Sequence, residues 1–213
     1  AHSHHPCRRS AYYRGSHTRI LVGYGILARM KLQLLFAPHT ILHSPSVPVA
    51  HIDAGIRQLV HDMETLLASC QDPEGVGLAA PQVGKSLRLF IVRPTPTDPL
   101  QVYINPEIVK TYPSTEQKKH KHDNEDADML EGCLSVKNVW SSVDREAGID
   151  VGFQTLSGER RMQHVTGFEA HIIQHEIDHL NGVLFTQRAL EQGKKMYRIE
   201  KKGGKEEFVP IEL

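Results

Sequence analysis

Residues 174–182, QHEIDHLNG, constrain this 213-residue chain more than any other stretch. They contain His-Glu-x-x-His. Four residues on a helix make a little over one turn, so His175 and His179 share a face, where two imidazoles can grip one metal ion. Glu176 stands about 100° further round, within reach of a water on that metal as general base. The competing reading is a solvated helical stripe, because a chain with 14 histidines produces such pairs by chance. The pattern is hydrolytic in outline, and its surroundings must decide.

The length suits one domain and is enough to bury a core without disulfides or structural metals. Basic and acidic residues balance at 25 each, but no acid precedes Asp53, whereas Arg8, Arg9, Arg14, Arg19, Arg29 and Lys31 all do. The remainder therefore carries 19 basic against 25 acidic residues, which argues against DNA or RNA as the main partner. Cys7, Cys70 and Cys133 are odd in number and irregular in spacing, so no disulfide framework is expected and a reducing compartment is the simpler setting. The longest apolar candidate, residues 20–28, is too short to span a bilayer, and no membrane association is expected.

Residues 1–29 are expected to be a leader, or a tail foreign to the natural chain, without fixed structure. They are rich in Arg, Ser and His, and the coherent pattern begins at Met30. If they form a genuine transit peptide the protein is organellar; otherwise it is cytoplasmic. Residues 30–190 are expected to form a single catalytic domain and residues 191–213 a C-terminal extension.

Within the body, Pro38, Pro45 and Pro48 hold an arm extended. Ile56, Leu59, Val60, Met63, Leu66 and Leu67 follow the helical stripe, with Asp53 as N-cap. Cys70, at the end of that helix, reads as an inert small hydrophobe. The small residues of GVGLAAPQVG, 75–84, remove bulk and let another backbone approach. Strands are predicted over 87–92, 102–104 and 108–112, and a hairpin pairs 149–156 with 161–165 around Ser157-Gly158. The charged run 115–128 reads as a solvated loop. Phe168 opens the helix of the histidine pair, and Asn181-Gly182 closes it.

A catalytic site of the zinc type needs a third protein ligand. The HExxHxxGxxH spacing is followed as far as Gly182, but Phe185 falls where the next histidine belongs. Glu200 lies at a tolerable distance for a glutamate ligand yet has no supporting motif. His171 is eight residues from His179, about 12 Å along the helix, so it reads as a wall residue. Cys133, in the compact island EGCLSV, could complete a Cys-His-His set as a thiolate.

GVGLAAPQVG, EGCLSV and QHEIDHLNG, in this order, resemble the three signature motifs of the peptide deformylases. Asp62-Met63-Glu64-Thr65 and Ile104-Asn105-Pro106 support the likeness, which spans about residues 30–188. The resemblance implies an α+β fold with antiparallel sheets surrounding a central helix that carries the HExxH motif. It also implies Cys133, His175 and His179 as metal ligands, and Glu176 as the acid and base. Gln82 and the backbone N–H of Leu134 would be donors to the developing oxyanion, and Gly77 a backbone partner of the substrate. Arg145 would pair with Glu131 and hold the cysteine loop. Val76, Phe168, His171 and Ile172 are the candidate walls of the methionine pocket.

The implied reaction is hydrolysis of the N-formyl group from the initiator methionine of nascent chains at the ribosome, an N-terminal processing step of protein synthesis that releases formate. A monomer with one divalent ion is implied, Fe2+ in the cell, with Zn2+, Ni2+ or Co2+ able to occupy the site. Two features depart from the family pattern: Lys137 where proline usually follows EGCLSV, and the charged insertion before that motif. Two other classes compete. A metalloprotease would cut internal peptide bonds with a ligand other than Cys133, and a zinc-stabilised binding module would close the site with Asp178 or a loop histidine.

Overall fold

The computed structural model describes residues 32–70, 74–113, 130–202 and 205–212, without the side chains of residues 201, 202, 205 and 206. The leader and the charged run expected as a loop, with His120 and His122, lie outside the described residues.

Helix α1, Ala54–Ser69, begins where the sequence places its cap: the Asp53 carboxylate accepts the Ile56 N–H at 2.9 Å. Its stripe buries Leu59, Val60, Met63 and Leu67, and such side chains are each worth about 1.5–3 kcal/mol when withdrawn from water. Cys70 caps its C-terminus with its thiol on the Leu66 carbonyl, and burial pushes that thiol's pKa up.

Five antiparallel strands form the larger sheet, in the order β1 (Gly77–Ala79), β2 (Leu89–Val92), β3 (Gln101–Tyr112), β6 (Gly148–Gln154) and β7 (Arg160–Thr166). The predicted hairpin is β6–β7, paired from Gly148↔Thr166 to Gln154↔Arg160. The two strands predicted on either side of Asn105-Pro106 are one strand, β3, with a register shift between Ile104 and Glu107. Asn105 takes a left-handed conformation there (φ 51°), and its amide bonds both the N–H and the C=O of Val49. The bulge thus fastens the arm to the sheet.

A second sheet runs β4 (Glu131–Cys133), β5 (Val136–Ser141), β8 (Met196–Lys202) and β9 (Lys205–Pro210). Residues 191–213, expected as an extension, therefore supply two strands to the sheet that carries Cys133, through Trp140↔Tyr197 and Ser141↔Met196.

Helix α2, Gly167–Leu180, packs against the larger sheet and reaches the smaller one through hydrogen bonds from His171 and His175 to Glu131 of β4. Ala170, Ile173, Ile177 and Leu180 face Phe90, Tyr103, Ile149 and Val151 of the larger sheet. Cys133, by contrast, packs with Phe185 and Ala189 of α3 (Phe185–Glu191). Ten of the fourteen residues of α2 are buried, among them Gln174, His175, Glu176, Asp178 and His179. So many polar side chains in the interior must be mutually satisfied or serve chemistry. The helix stops at Gly182 (φ 74°), where a Cβ would meet the backbone of His43 and Ser44 at 2.7 Å. Among the described residues no helix is long and apolar enough to cross a membrane.

Candidate active site

Two elements bring the three metal-ligand candidates together. His175 and His179 come from α2, one turn apart, and Cys133 from the end of β4, where the Cys133↔Val136 turn presents the thiol to the helix. Their ligand atoms all lie within 4.8 Å of one another, all three residues are buried, and Cys133 Sγ is 3.2 Å from His179 Nε2. One thiolate and two imidazoles suit a borderline-soft divalent ion, and three protein ligands leave a coordination position open. The donor set therefore fits the metal that the motifs imply.

Among these ligands His175 is held by Glu131. Its Oε1 receives His175 Nδ1 in a short hydrogen bond, its Oε2 receives His171 Nε2 at 2.7 Å, and Arg145 donates to both oxygens, Nη2 at 2.7 Å and Nε at 3.2 Å. Burial alone would raise the pKa of Glu131. The charge on His175 and the hydrogen bonds from His171, His175 and Arg145 more than offset it and hold the carboxyl well below the usual range. Burial likewise opposes a charge on His175, yet Glu131 and the Cys133 sulfur raise its pKa well above the ordinary value. A carboxylate on Nδ1 leaves Nε2 as the more basic donor for a metal. His179 is shifted the other way, first by burial and then by the charge on His175.

Glu176 is different from Glu131. It is buried at the edge of the cleft, its Oε2 has no hydrogen-bond partner, and burial raises its pKa to about 7. That value suits a group that must take and return a proton near neutrality. Gln82, in the 3-10 turn after β1, accepts the Ala79 N–H on Oε1 at 2.7 Å, which fixes the amide so that Nε2 points at Ser135 Oγ (3.2 Å) and Cys133 Sγ (3.7 Å). The arm braces both loops, with Leu35 N–H on the Gln82 carbonyl at 2.8 Å and Ala37 N–H on that of Ser135 at 2.9 Å. Lys137, out of place for the motif, sits over the Phe36 ring at 3.9 Å.

These groups border a cleft of about 260 Å³, suited to one long side chain. Val76, Gly77 and Gln82 form one wall, and Glu131, Cys133 and Leu134 another. Phe168, His171, Ile172, His175 and Glu176 complete it from α2, with Phe168 54% exposed at the rim. Arg145 and His179 are not among the lining residues. The sequence reading missed Glu74, Leu130, Gly132 and Trp140. Trp140 stands opposite Gly132 in the ladder, and a Cβ on that glycine would lie 2.7 Å from the ring, a pairing signalled only by the small residue inside EGCLSV.

The rival ligands are placed elsewhere. Asp178 turns away from the metal-ligand atoms to Arg145 and Arg188. Glu200 is in β8 beside Arg198, and among the described residues the one His/Cys/Asp/Glu grouping able to hold an ion is Cys133, His175 and His179.

The sequence profile described as Polypeptide deformylase matches residues 31–195. A peptide deformylase of Mesorhizobium japonicum is 37% identical over 155 residues, which cover 71% of this chain and 80% of that protein. Among solved structures, a peptide deformylase from Synechococcus elongatus in complex with actinonin superposes with a TM-score of 0.64 at 33% identity, covering 82% of this chain and 87% of that one. The Met-Ala-Ser-bound enzyme of Acinetobacter baumannii gives 0.61 at 34%, covering 74% and 97%. With the three motifs assembled around one cleft, the chain belongs to the peptide deformylase family, metal-dependent hydrolases that remove the N-formyl group from nascent polypeptides.

Proposed function

We propose that Cys133, His175 and His179 hold the divalent ion and that Glu176 moves the proton in deformylation. The observation that carries this reading is the convergence of three buried ligand atoms beside a carboxylate whose Oε2 has no partner. A divalent ion bound there supplies a positive charge that polarises the formyl carbonyl and makes water a nucleophile at neutral pH. Ferrous iron is the proposed ion in the cell, with zinc, nickel or cobalt able to replace it.

Glu176 Oε2 takes the proton from the attacking water and delivers it to the amine as the C–N bond of the formamide breaks, leaving formate and a free N-terminus. The Gln82 Nε2–H and the backbone N–H of Leu134 receive the oxyanion that develops on the formyl oxygen. β1 is an edge of its sheet, and the substrate backbone adds alongside Gly77 as a further strand. Val76, Phe168, His171 and Ile172 enclose the methionine side chain, as the binding of Met-Ala-Ser by the Acinetobacter relative supports.

A monomer is the proposed state. Formylated ends exist on chains leaving the ribosome, so we place the enzyme's work there, in the cytoplasm or in an organelle with its own translation. The test is metal analysis of protein prepared without oxygen, coupled to formate release from formyl-Met-Ala-Ser. Stoichiometric metal that tracks turnover is expected, and turnover that survives metal removal would overturn the reading.

A further inference from the structure

Beside α2 a buried chain of charges continues from Glu131. Asp178 precedes His179 by one residue, and its Oδ2 accepts Arg145 Nη1 at 2.6 Å. Arg188 of α3 reaches the same carboxylate from outside, Nη2 on Oδ1 at 2.8 Å and Nε on Oδ2 at 3.2 Å. Arg145, Asp178 and Glu131 side chains are 8%, 8% and 4% exposed, and Arg188 is 39% exposed, so the chain runs from the surface to a metal ligand. Arg188 also approaches Glu191, but at 3.7 Å and in solvent.

We propose that Arg188 is a positioning residue for His175, acting through Asp178, Arg145 and Glu131; this rests on the reading of Cys133, His175 and His179 as the metal ligands. Arg145 serves two carboxylates with one guanidinium: Nε and Nη2 hold Glu131, and Nη1 holds Asp178. That division holds only while Asp178 is satisfied from elsewhere, because a buried carboxylate with one donor would compete for the rest of the fork. Arg188 spans both oxygens of Asp178 and removes the competition. Without it, Arg145 is drawn toward Asp178, Glu131 loses its bidentate anchor, and the His175 ring loses the partner that fixes its orientation.

The experiment loads wild type, Arg188→Ala and Arg188→Lys with cobalt. It reads the rate of cobalt transfer to a chromophoric chelator, the visible absorption of the bound ion, and KM for formyl-Met-Ala-Ser. Arg188→Ala should release cobalt about tenfold faster than wild type with an altered spectrum. KM should change by less than about twofold because Arg188 does not border the cleft. Arg188→Lys should recover part of the retention. Arg161→Ala, in the exposed pair with Glu159, is the control and should release at the wild-type rate. If the alanine variant does not fold, Arg188→Gln makes the same comparison. Wild-type release and spectrum in a folded Arg188 variant, even one with a lowered Tm, would overturn the inference. A wild-type chain that takes up no stoichiometric cobalt would overturn the ligand assignment beneath it.

Discussion

Gly77 and Glu176 approach so closely that a Cβ on the glycine would lie 2.3 Å from Glu176 Oε1 and 2.9 Å from its Cδ. Real side-chain contacts do not reach such distances, so the edge strand proposed to take up the peptide backbone also abuts the carboxylate proposed as proton carrier. The proposed binding strand and the proposed proton carrier meet at one glycine.

Gly77→Ala should therefore displace Glu176 and push on Ile172, whose Cγ2 would lie 3.0 Å from the new methyl. Overpacking of this kind costs about 1–3 kcal/mol of stability, and misplacing the general base should lower kcat by about 10² or more. Thermal unfolding and formate release measured together check it. A variant with wild-type kcat would show that the carboxylate can move without consequence.

Glu176→Gln keeps the shape of the side chain but cannot accept and return a proton. Metal content and peptide binding should persist while kcat falls by about 10² to 10⁴. Loss of metal in this variant would instead make Glu176 a ligand and reopen the choice of donor set.

Cys133→Ala should leave two imidazoles on one helix turn and remove the thiolate. Dialysed protein should then carry little metal while remaining folded, because Cys133 is one member of a cluster that includes Val143, Phe185 and Met196. Elemental analysis beside circular dichroism gives the answer, and stoichiometric metal with intact activity would remove Cys133 from the site.

Arg145→Met should be among the most destabilising single changes in the chain. It takes one of three partners from Glu131, which keeps His171 and His175, and leaves Asp178 with Arg188 alone; removing one partner of a buried ion pair costs about 3–5 kcal/mol. Urea unfolding is the measurement. A loss below about 1 kcal/mol would mean that the pair behaves like an exposed one.

The parts of this molecule written in local spacing were readable from residues alone. Asp53 capping α1, the stripe through Met63, the β6–β7 hairpin and the stop at Asn181-Gly182 each depend on neighbours a few residues away. The pairing of His175 with His179 is likewise a property of one helix turn. Cys133 was reachable by elimination and by the motif that contains it, since Phe185 occupies the place of a third histidine; the structure puts that phenylalanine in the cluster around Cys133.

What folding decided is how distant charges share partners. Glu131 answers not only to Arg145, 14 residues away, which the family likeness had paired with it, but also to His171 and His175, 40 and 44 residues away, and no periodicity encodes such a set. Asp178, a candidate fourth ligand in sequence, is turned from the ligand atoms by Arg145 and Arg188. Trp140 enters the cleft because Gly132 lies opposite it in a ladder, and β8–β9 joins that sheet through a pairing more than 50 residues long in sequence. Hydrogen bonds and ion pairs across such separations form only when packing of the apolar core has already brought the elements together. The residue types carry the chemistry locally, while their partners are set by which surfaces the core excludes from water.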